Sequence, residues 1–185
     1  MAKFEEAFKL VLKFEFSSPS NALHRNSTES GWTFMGVYQT ANPNLSLWNR
    51  VDAAVKSCGG DVKKASVMLY NDSSAVDAVK SVYKTNYWDR MRLDLVTSQH
   101  KANEMFVFGV NAGTKAAIKL AQQLVGVVDD GIIGKNTLLA INAFDEAEFD
   151  TKFDLKETQY YEGVVSRDKN KSIFMNGWKT RAKAV

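Results

Sequence analysis

The chain has little of what disulfides, metal sites and membrane spans are made from. Among its 185 residues there is one cysteine, Cys58, so a disulfide within the chain is excluded. There are only two histidines, His24 and His100, and we predict no metal site and no requirement for a metal or organic cofactor. No apolar run approaches the roughly 20 residues that cross a bilayer. The N-terminal segment carries Glu5 and Glu6 and lacks the continuous apolar core of a signal peptide.

An excess of charge of one sign is also missing. The 24 Lys and Arg residues nearly balance the 21 Asp and Glu residues, which leaves a net charge of +3. A nucleic-acid-binding protein is usually far more basic, so we expect no nucleic-acid partner. We predict a protein that is made in the cytoplasm and does not insert into membranes; its oligomeric state stays open, with a monomer favoured. Its 45% hydrophobic content is sufficient for one core, or for one domain with a small appendage.

Proline is scarce, which favours helices over most of the chain. Pro19 and Pro43 are the only prolines, and both lie in the first quarter. Helical periodicity recurs along the remainder, including an acidic and aromatic helix at about 153–166. The only strands that the sequence predicts form a short hairpin in the 17–40 region. The sequence therefore predicts a mainly α protein.

The first helix ends in a glutamate that lies on its apolar face. The apolar residues of this face recur at spacings of three and four, at Phe4, Phe8, Val11 and Leu12. Glu15 continues the series, four residues after Val11. One interpretation is a helix-end glutamate in water or in a salt bridge. The other is a general acid, because partial desolvation favours the protonated carboxyl that such an acid needs; cleavage of glycosidic bonds commonly uses one.

A polar loop follows this helix and offers partners for such an acid. Glu29 or His24 could act as a base or as an electrostatic partner, and Thr33 could hold an attacking water. Loops contain many polar residues, so ordinary surface roles stay open for all three.

Aromatic side chains cluster after the loop. Trp32, Tyr38 and the more distant Trp48 are candidates for a platform on which sugar rings stack. Core packing is the alternative for each of them. The chain has no Gly-rich phosphate-binding loop and no Gly-x-Ser-x-Gly nucleophile motif.

Six short motifs occur in order along the chain and together resemble the muramidases of glycoside hydrolase family 108. These motifs are Leu12–Glu15, Thr33–Val37, Tyr83–Asp89, Phe108–Gly113, Val128–Leu138, and the series Phe174, Gly177, Trp178, Arg181. The resemblance implies a lysozyme-like fold with a catalytic part at 1–95. A helical, peptidoglycan-binding-like part at 96–185 would pack on it.

The resemblance also implies an activity and a place of action. It assigns the role of catalytic acid to Glu15, adds Asn111 as a substrate-binding residue, and implies the glycan strands of peptidoglycan as substrate. The expected protein is a bacteriolytic hydrolase of the phage endolysin kind. It would reach the cell wall or periplasm through a holin or a secretion system.

The loop after Glu15 departs from the family pattern. The family's Gly-Gly-Tyr is replaced by Phe16, Ser17 and Ser18, and no aspartate occurs in residues 16–51. A second catalytic carboxylate must therefore be Glu29, or His24 takes its place, and the choice between retention and inversion stays open. One alternative function is a catalytically inactive cell-wall-binding or structural module of a phage or secretion apparatus. An amidase or peptidase is disfavoured by the lack of a metal-ligand set.

Overall fold

The computed structural model describes residues 1–25 and 30–185, which form two compact units. One unit comprises Met1–Leu10 and Asn86–Val185, and the other is Val11–Thr85. The helices are α1 (Phe4–Glu15), α2 (Leu47–Ser57), α3 (Val62–Tyr70), α4 (Ser73–Tyr83), α5 (Gln99–Ala112), α6 (Thr114–Val125), α7 (Lys135–Ala143), α8 (Glu146–Arg167) and α9 (Met175–Ala182). The strands are β1 (Leu23–His24), β2 (Thr33–Phe34) and β3 (Val37–Tyr38).

The predicted mainly α fold with a small β element between residues 17 and 40 is confirmed. The strands form one antiparallel sheet in the order β1-β2-β3. In the described part of the chain, no helix has both the length and the apolarity that a membrane span requires. The predicted division near residue 95 into two functional parts stays a prediction.

The larger unit is built on α5, α6 and α8. Aromatic rings meet edge to face in its core: Trp88 and Phe106 have centroids 5.6 Å apart, and Phe4 at the start of α1 contacts both rings. Nearer the C-terminus, Tyr161 of α8 stacks on Trp178 of α9 with centroids 4.5 Å apart. These contacts explain why α9, which is mostly polar, is held against α8.

Helix α8 begins earlier than its sequence periodicity predicts. We expect a start near Phe153, whereas the helix begins at Glu146. The Asp145 side chain caps it by accepting a 2.9 Å hydrogen bond from the backbone N–H of Glu148. Capping and the favourable position of acidic residues in the first turn extend the helix beyond its apolar stretch.

The smaller unit packs α2, α3 and α4 with the sheet. Asp61 and Asp72 cap α3 and α4, each accepting hydrogen bonds from backbone N–H groups of the first turn. The apolar faces of the helices are buried, as shown by Leu47, Val51 and Leu69. This helical layer supports the hairpin and the loop that follow α1.

Candidate active site

Glu15 is the last residue of α1, and its carboxylate side chain lies against the turn between β2 and β3. Val11, one helical turn earlier, is fully buried, whereas Glu15 is half-buried. Gly36 of this turn shows how close the contact is. A Cβ atom added to Gly36 would lie 2.7 Å from Glu15 Oε2 and 3.0 Å from Glu15 Cγ. Only a residue without a side chain allows the glutamate to occupy this position.

The turn itself has the backbone geometry of a tight hairpin. Its two central residues, Met35 and Gly36, have φ angles of +49° and +82°, as a two-residue turn with two left-handed positions requires. Met35 is not a glycine, so its conformation is strained. Two hydrogen bonds stabilise it: its N–H donates to Ala22 O at 2.8 Å, and its carbonyl accepts from the Tyr83 hydroxyl at 3.1 Å.

Three of the predicted site residues lie in one row across the sheet. His24 of β1 is paired with Thr33 of β2, and Thr33 is paired with Tyr38 of β3. Side chains directly opposite each other in antiparallel strands project from the same face, about 5 Å apart at Cβ. Their neighbours Leu23, Phe34 and Val37 project from the other face and are buried. The register therefore brings His24, Thr33 and Tyr38 together on one face of the sheet.

This row combines an imidazole, a hydroxyl and an aromatic ring in different degrees of exposure. Tyr38 is 42% exposed, His24 is half-buried and Thr33 is buried. An exposed tyrosine beside less exposed polar groups can stack on a ring-shaped ligand while the polar groups hydrogen-bond to it. Glu29, the remaining predicted partner of Glu15, lies outside the described residues.

Trp32 is covered in this structure. It is 7% exposed, and the guanidinium of Arg25 lies over its ring, 4.0 Å from the ring centroid. Such cation–π stacking occupies the face that a sugar would use. A ligand that stacks on Trp32 must therefore displace Arg25, which is exposed.

Trp48 and Asn111 have structural partners in the two units. Trp48 is 3% exposed, and its indole N–H donates a 2.6 Å hydrogen bond to Asn42 O, which favours a packing role. Asn111 lies near the end of α5 in the larger unit, where its amide donates to the Tyr161 hydroxyl. Substrate binding by either residue stays a prediction.

The segment that connects Glu15 to the sheet is fastened to α3 by one buried serine. The Ser66 hydroxyl donates to Pro19 O at 2.5 Å and accepts from the N–H of Leu23 at 2.9 Å. Because Ser66 is fully buried, loss of its hydroxyl would leave both backbone groups without these partners. This pair of bonds fixes β1, and with it His24.

Gly36 and Tyr83 are two site residues that the sequence interpretation did not single out for a role. Tyr83 is buried at the end of α4, and its hydroxyl also lies beside Gly36. Both occur within the motifs quoted above, Gly36 in Thr33–Val37 and Tyr83 in Tyr83–Asp89. The motifs therefore contained the signal, but the contact among Glu15, Gly36 and Tyr83 joins three separate stretches of sequence.

Comparison with known proteins adds family assignments to this geometry. Residues 22–113 match the family model described as "Glycosyl hydrolase 108", and residues 116–183 match the one described as "Predicted Peptidoglycan domain". The resemblance proposed from the six motifs is thereby confirmed. The matched range begins after Glu15, so the family match does not itself include the predicted acid.

The fold also has a counterpart among solved structures. The "Structure of Brucella abortus SagA" aligns with a TM-score of 0.65 at 22% sequence identity, over 97% of this chain and 88% of that one. At this identity the likeness concerns the fold alone. No curated protein matches the chain. Taken together, the two family assignments support a glycoside hydrolase whose activity is directed to peptidoglycan at the cell wall.

Proposed function

We propose that this protein is a muramidase that cleaves the glycan strands of peptidoglycan, with Glu15 as the general acid. The observation that carries the proposal is the contact between Glu15 and Gly36. A half-buried carboxyl at a helix end is held against a hairpin that also carries a row of polar and aromatic side chains. A general acid must be partly withdrawn from water and fixed in direction, and this environment meets both requirements.

In the proposed reaction, the Glu15 carboxyl protonates the glycosidic oxygen as the bond to the anomeric carbon breaks. Positive charge then develops at the anomeric carbon, and water completes the hydrolysis. We assign Thr33 to the positioning of this water, together with His24 or Glu29 as the second group. Tyr38 is exposed and lies in the same row, so it is the first candidate for a sugar platform. The bound sugar would reach Trp32 only after Arg25 moves.

The decisive experiment compares Glu15→Gln with the wild-type protein in the release of reducing ends from purified peptidoglycan. Removal of a general acid lowers the rate by about 10² to 10⁴-fold, and we expect a loss in this range. Glu6→Gln is the matched control, because Glu6 is an exposed residue of the same helix whose ion pair with Lys3 lies at the surface. Circular dichroism and thermal unfolding establish that both variants are folded. Undiminished activity of folded Glu15→Gln would refute the assignment.

The second catalytic group is assigned by two further variants. Glu29→Gln and His24→Asn are measured in the same assay, and the larger fall in kcat identifies the partner of Glu15. Mass spectrometry of the released fragments identifies the bond that is cut. Fragments cleaved within the stem peptide would reject glycosidase activity and support an amidase or peptidase.

A second candidate function is a peptidoglycan-binding module without catalysis. It is favoured by the altered loop after Glu15, where Phe16, Ser17 and Ser18 replace the family's Gly-Gly-Tyr, and by the covered ring of Trp32. In that case the wild-type protein sediments with purified peptidoglycan but releases no reducing ends. Origin in a phage lysis system and release through a holin or a secretion system belong to the muramidase proposal, and lysis of cells from within on co-expression with a holin tests them.

A further inference from the structure

Helices α5 and α8 of the larger unit bring three metal-ligating side chains together. His100 and Glu104 are one helical turn apart on α5 and so share a face, and Asp150 lies on α8. One donor atom from each side chain lies within 4.8 Å of the other two. His100 Nε2 is 2.9 Å from Asp150 Oδ1 and 3.8 Å from Glu104 Oε1. None of the three belongs to the candidate active site.

Glu104 is the residue of this cluster whose environment points to a bound cation. The residue is 1% exposed, and neither of its carboxyl oxygens has a hydrogen-bond partner. A buried carboxylate that accepts no hydrogen bond is strongly destabilising, so such groups are usually protonated, paired with a cation or bound to a metal. Burial, with the negative charges of Glu157, Asp154 and Asp150, raises the pKa of Glu104 to about 10. Its carboxyl is therefore protonated when no cation is bound, and a metal ion that binds there displaces the proton.

From this arrangement, we propose that His100, Glu104 and Asp150 bind one divalent transition-metal ion, for which Zn²⁺ is the test ion. One imidazole nitrogen and two carboxylate oxygens form a ligand set that zinc accepts, and two carboxylates balance its charge. Bond lengths of about 2.1 Å place two ligands of one ion at most about 4.2 Å apart. The two separations from His100 lie within this limit and all three are below 4.8 Å, so a small movement of the two partly exposed side chains completes the site.

The exposure of the ligands provides a route for the ion. His100 and Asp150 are partly exposed, whereas Glu104 forms the buried base. An ion can therefore enter from solvent between the two outer ligands, and water would fill the remaining coordination positions. The histidine favours a transition metal over Mg²⁺ and Ca²⁺, which prefer sites made only of oxygen ligands.

The consequence of binding would be structural. α5 carries the end of the range matched by the glycosyl hydrolase 108 model, and α8 lies within the predicted peptidoglycan domain. An ion bound by both helices would cross-link these two matched segments and stabilise the folded state by mass action. This role is independent of the proposed catalysis by Glu15.

The test is calorimetric titration of tag-free, EDTA-stripped protein with ZnCl₂, alongside thermal unfolding. We expect one ion per chain and a melting temperature that rises with zinc concentration. His100→Gln, Glu104→Gln and Asp150→Asn should each weaken binding by about tenfold or more. Glu148→Gln, which changes an exposed acid of α8 paired with Lys152, should bind zinc as the wild type does. Cys58→Ser should do so as well, which excludes the thiol as the ligand.

Several results would overturn the proposal. One is the absence of one-to-one binding at 100-fold molar excess of zinc. Another is binding that survives all three ligand substitutions. A thermal response to Mg²⁺ or Ca²⁺ but none to Zn²⁺ would reject the assignment to a transition metal. If Glu104→Gln cannot be purified, His100→Gln and Asp150→Asn decide the matter, because both replace partly exposed side chains.

Discussion

The contact between Glu15 and Gly36 can be tested by adding a single methyl group. In Gly36→Ala the new Cβ would overlap the Tyr83 hydroxyl and come within 2.7 Å of Glu15 Oε2. The substitution also places a side chain at a φ of +82°. Gly60→Ala is a matched control, because Gly60 has a φ of +88° but no atom within 4 Å of an added Cβ. Comparison of the two variants separates the backbone cost from the steric cost.

The magnitudes follow from these two environments. A left-handed alanine costs about 1–2 kcal/mol, partly offset by the lower entropy of the unfolded chain, so Gly60→Ala should lower the free energy of unfolding by about 1 kcal/mol. Gly36→Ala should lower the free energy of unfolding by this amount and by about 2 kcal/mol more. The additional cost arises because Tyr83 must give up its bond to Met35 O, or the hairpin must shift. A displacement of Glu15 by about 1 Å would also reduce peptidoglycan hydrolysis by about 10²-fold.

The stability assay is urea unfolding followed by tryptophan fluorescence, and the activity assay is release of reducing ends. Tyr83→Phe provides a further check, because it removes the atom that the new methyl group overlaps. Gly36→Ala should cost less in the Tyr83→Phe background than in the wild type, with a coupling of about 1 kcal/mol or more. Equal losses of stability and activity in Gly36→Ala and Gly60→Ala would refute the close packing of Glu15 against the turn.

Three further predictions concern buried polar groups. Ser66→Ala should lower the free energy of unfolding by about 1–3 kcal/mol in urea titrations, since Pro19 O and the Leu23 N–H lose their partner. Lys101→Met should lower the free energy of unfolding by about 2–3 kcal/mol in the same titrations. The reason is that the buried Lys101 ammonium donates hydrogen bonds to the carbonyls of Ile141 and Phe144 at the end of α7. Burial, with the negative charge of Asp154, raises the pKa of Glu157 to about 8 from 4.5. The folded protein thus keeps this proton to higher pH, and stability in EDTA should fall as pH rises from about 4.5 to 8, by up to about 1.4 kcal/mol per unit. Burial also raises the pKa of Glu104 to about 10, which adds a decline of the same sign. Glu157→Gln should therefore remove only the Glu157 part of the decline, and an unchanged pH profile would contradict the prediction.

Local sequence patterns predicted the helices well, because the spacing of apolar residues that specifies a helix involves only residues close together in the sequence. The spacing of Phe4, Phe8 and Val11 determines α1, and the scarcity of proline permits the helices downstream. The early start of α8 shows the limit of apolar periodicity. Its first turn is specified by the Asp145 cap and by acidic residues, which carry no apolar signal.

Residue type alone did not distinguish ligand-facing aromatics from packed ones. Tyr38, Trp32 and Trp48 are equally plausible as platforms in the sequence, but only Tyr38 is substantially exposed. Burial depends on the sheet register and on neighbours such as Arg25, whose position over Trp32 no local pattern encodes. Similarly, a chain with only two histidines predicted no metal site. The fold nevertheless brings Asp150 close to His100 and Glu104, which are 46 or more residues away from it in the sequence.

The sequence by itself determined the mainly α fold, the position of Glu15 at the end of the first apolar face, and the family motifs, because these are properties of local spacing and order. The tertiary structure decided which groups Glu15 meets. It placed the Glu15 carboxylate and the Tyr83 hydroxyl beside Gly36, aligned His24 with Thr33 and Tyr38, and brought Asp150 of α8 to His100 and Glu104 of α5. Such contacts depend on strand register and on the packing of distant helices, which are fixed only when the whole chain folds.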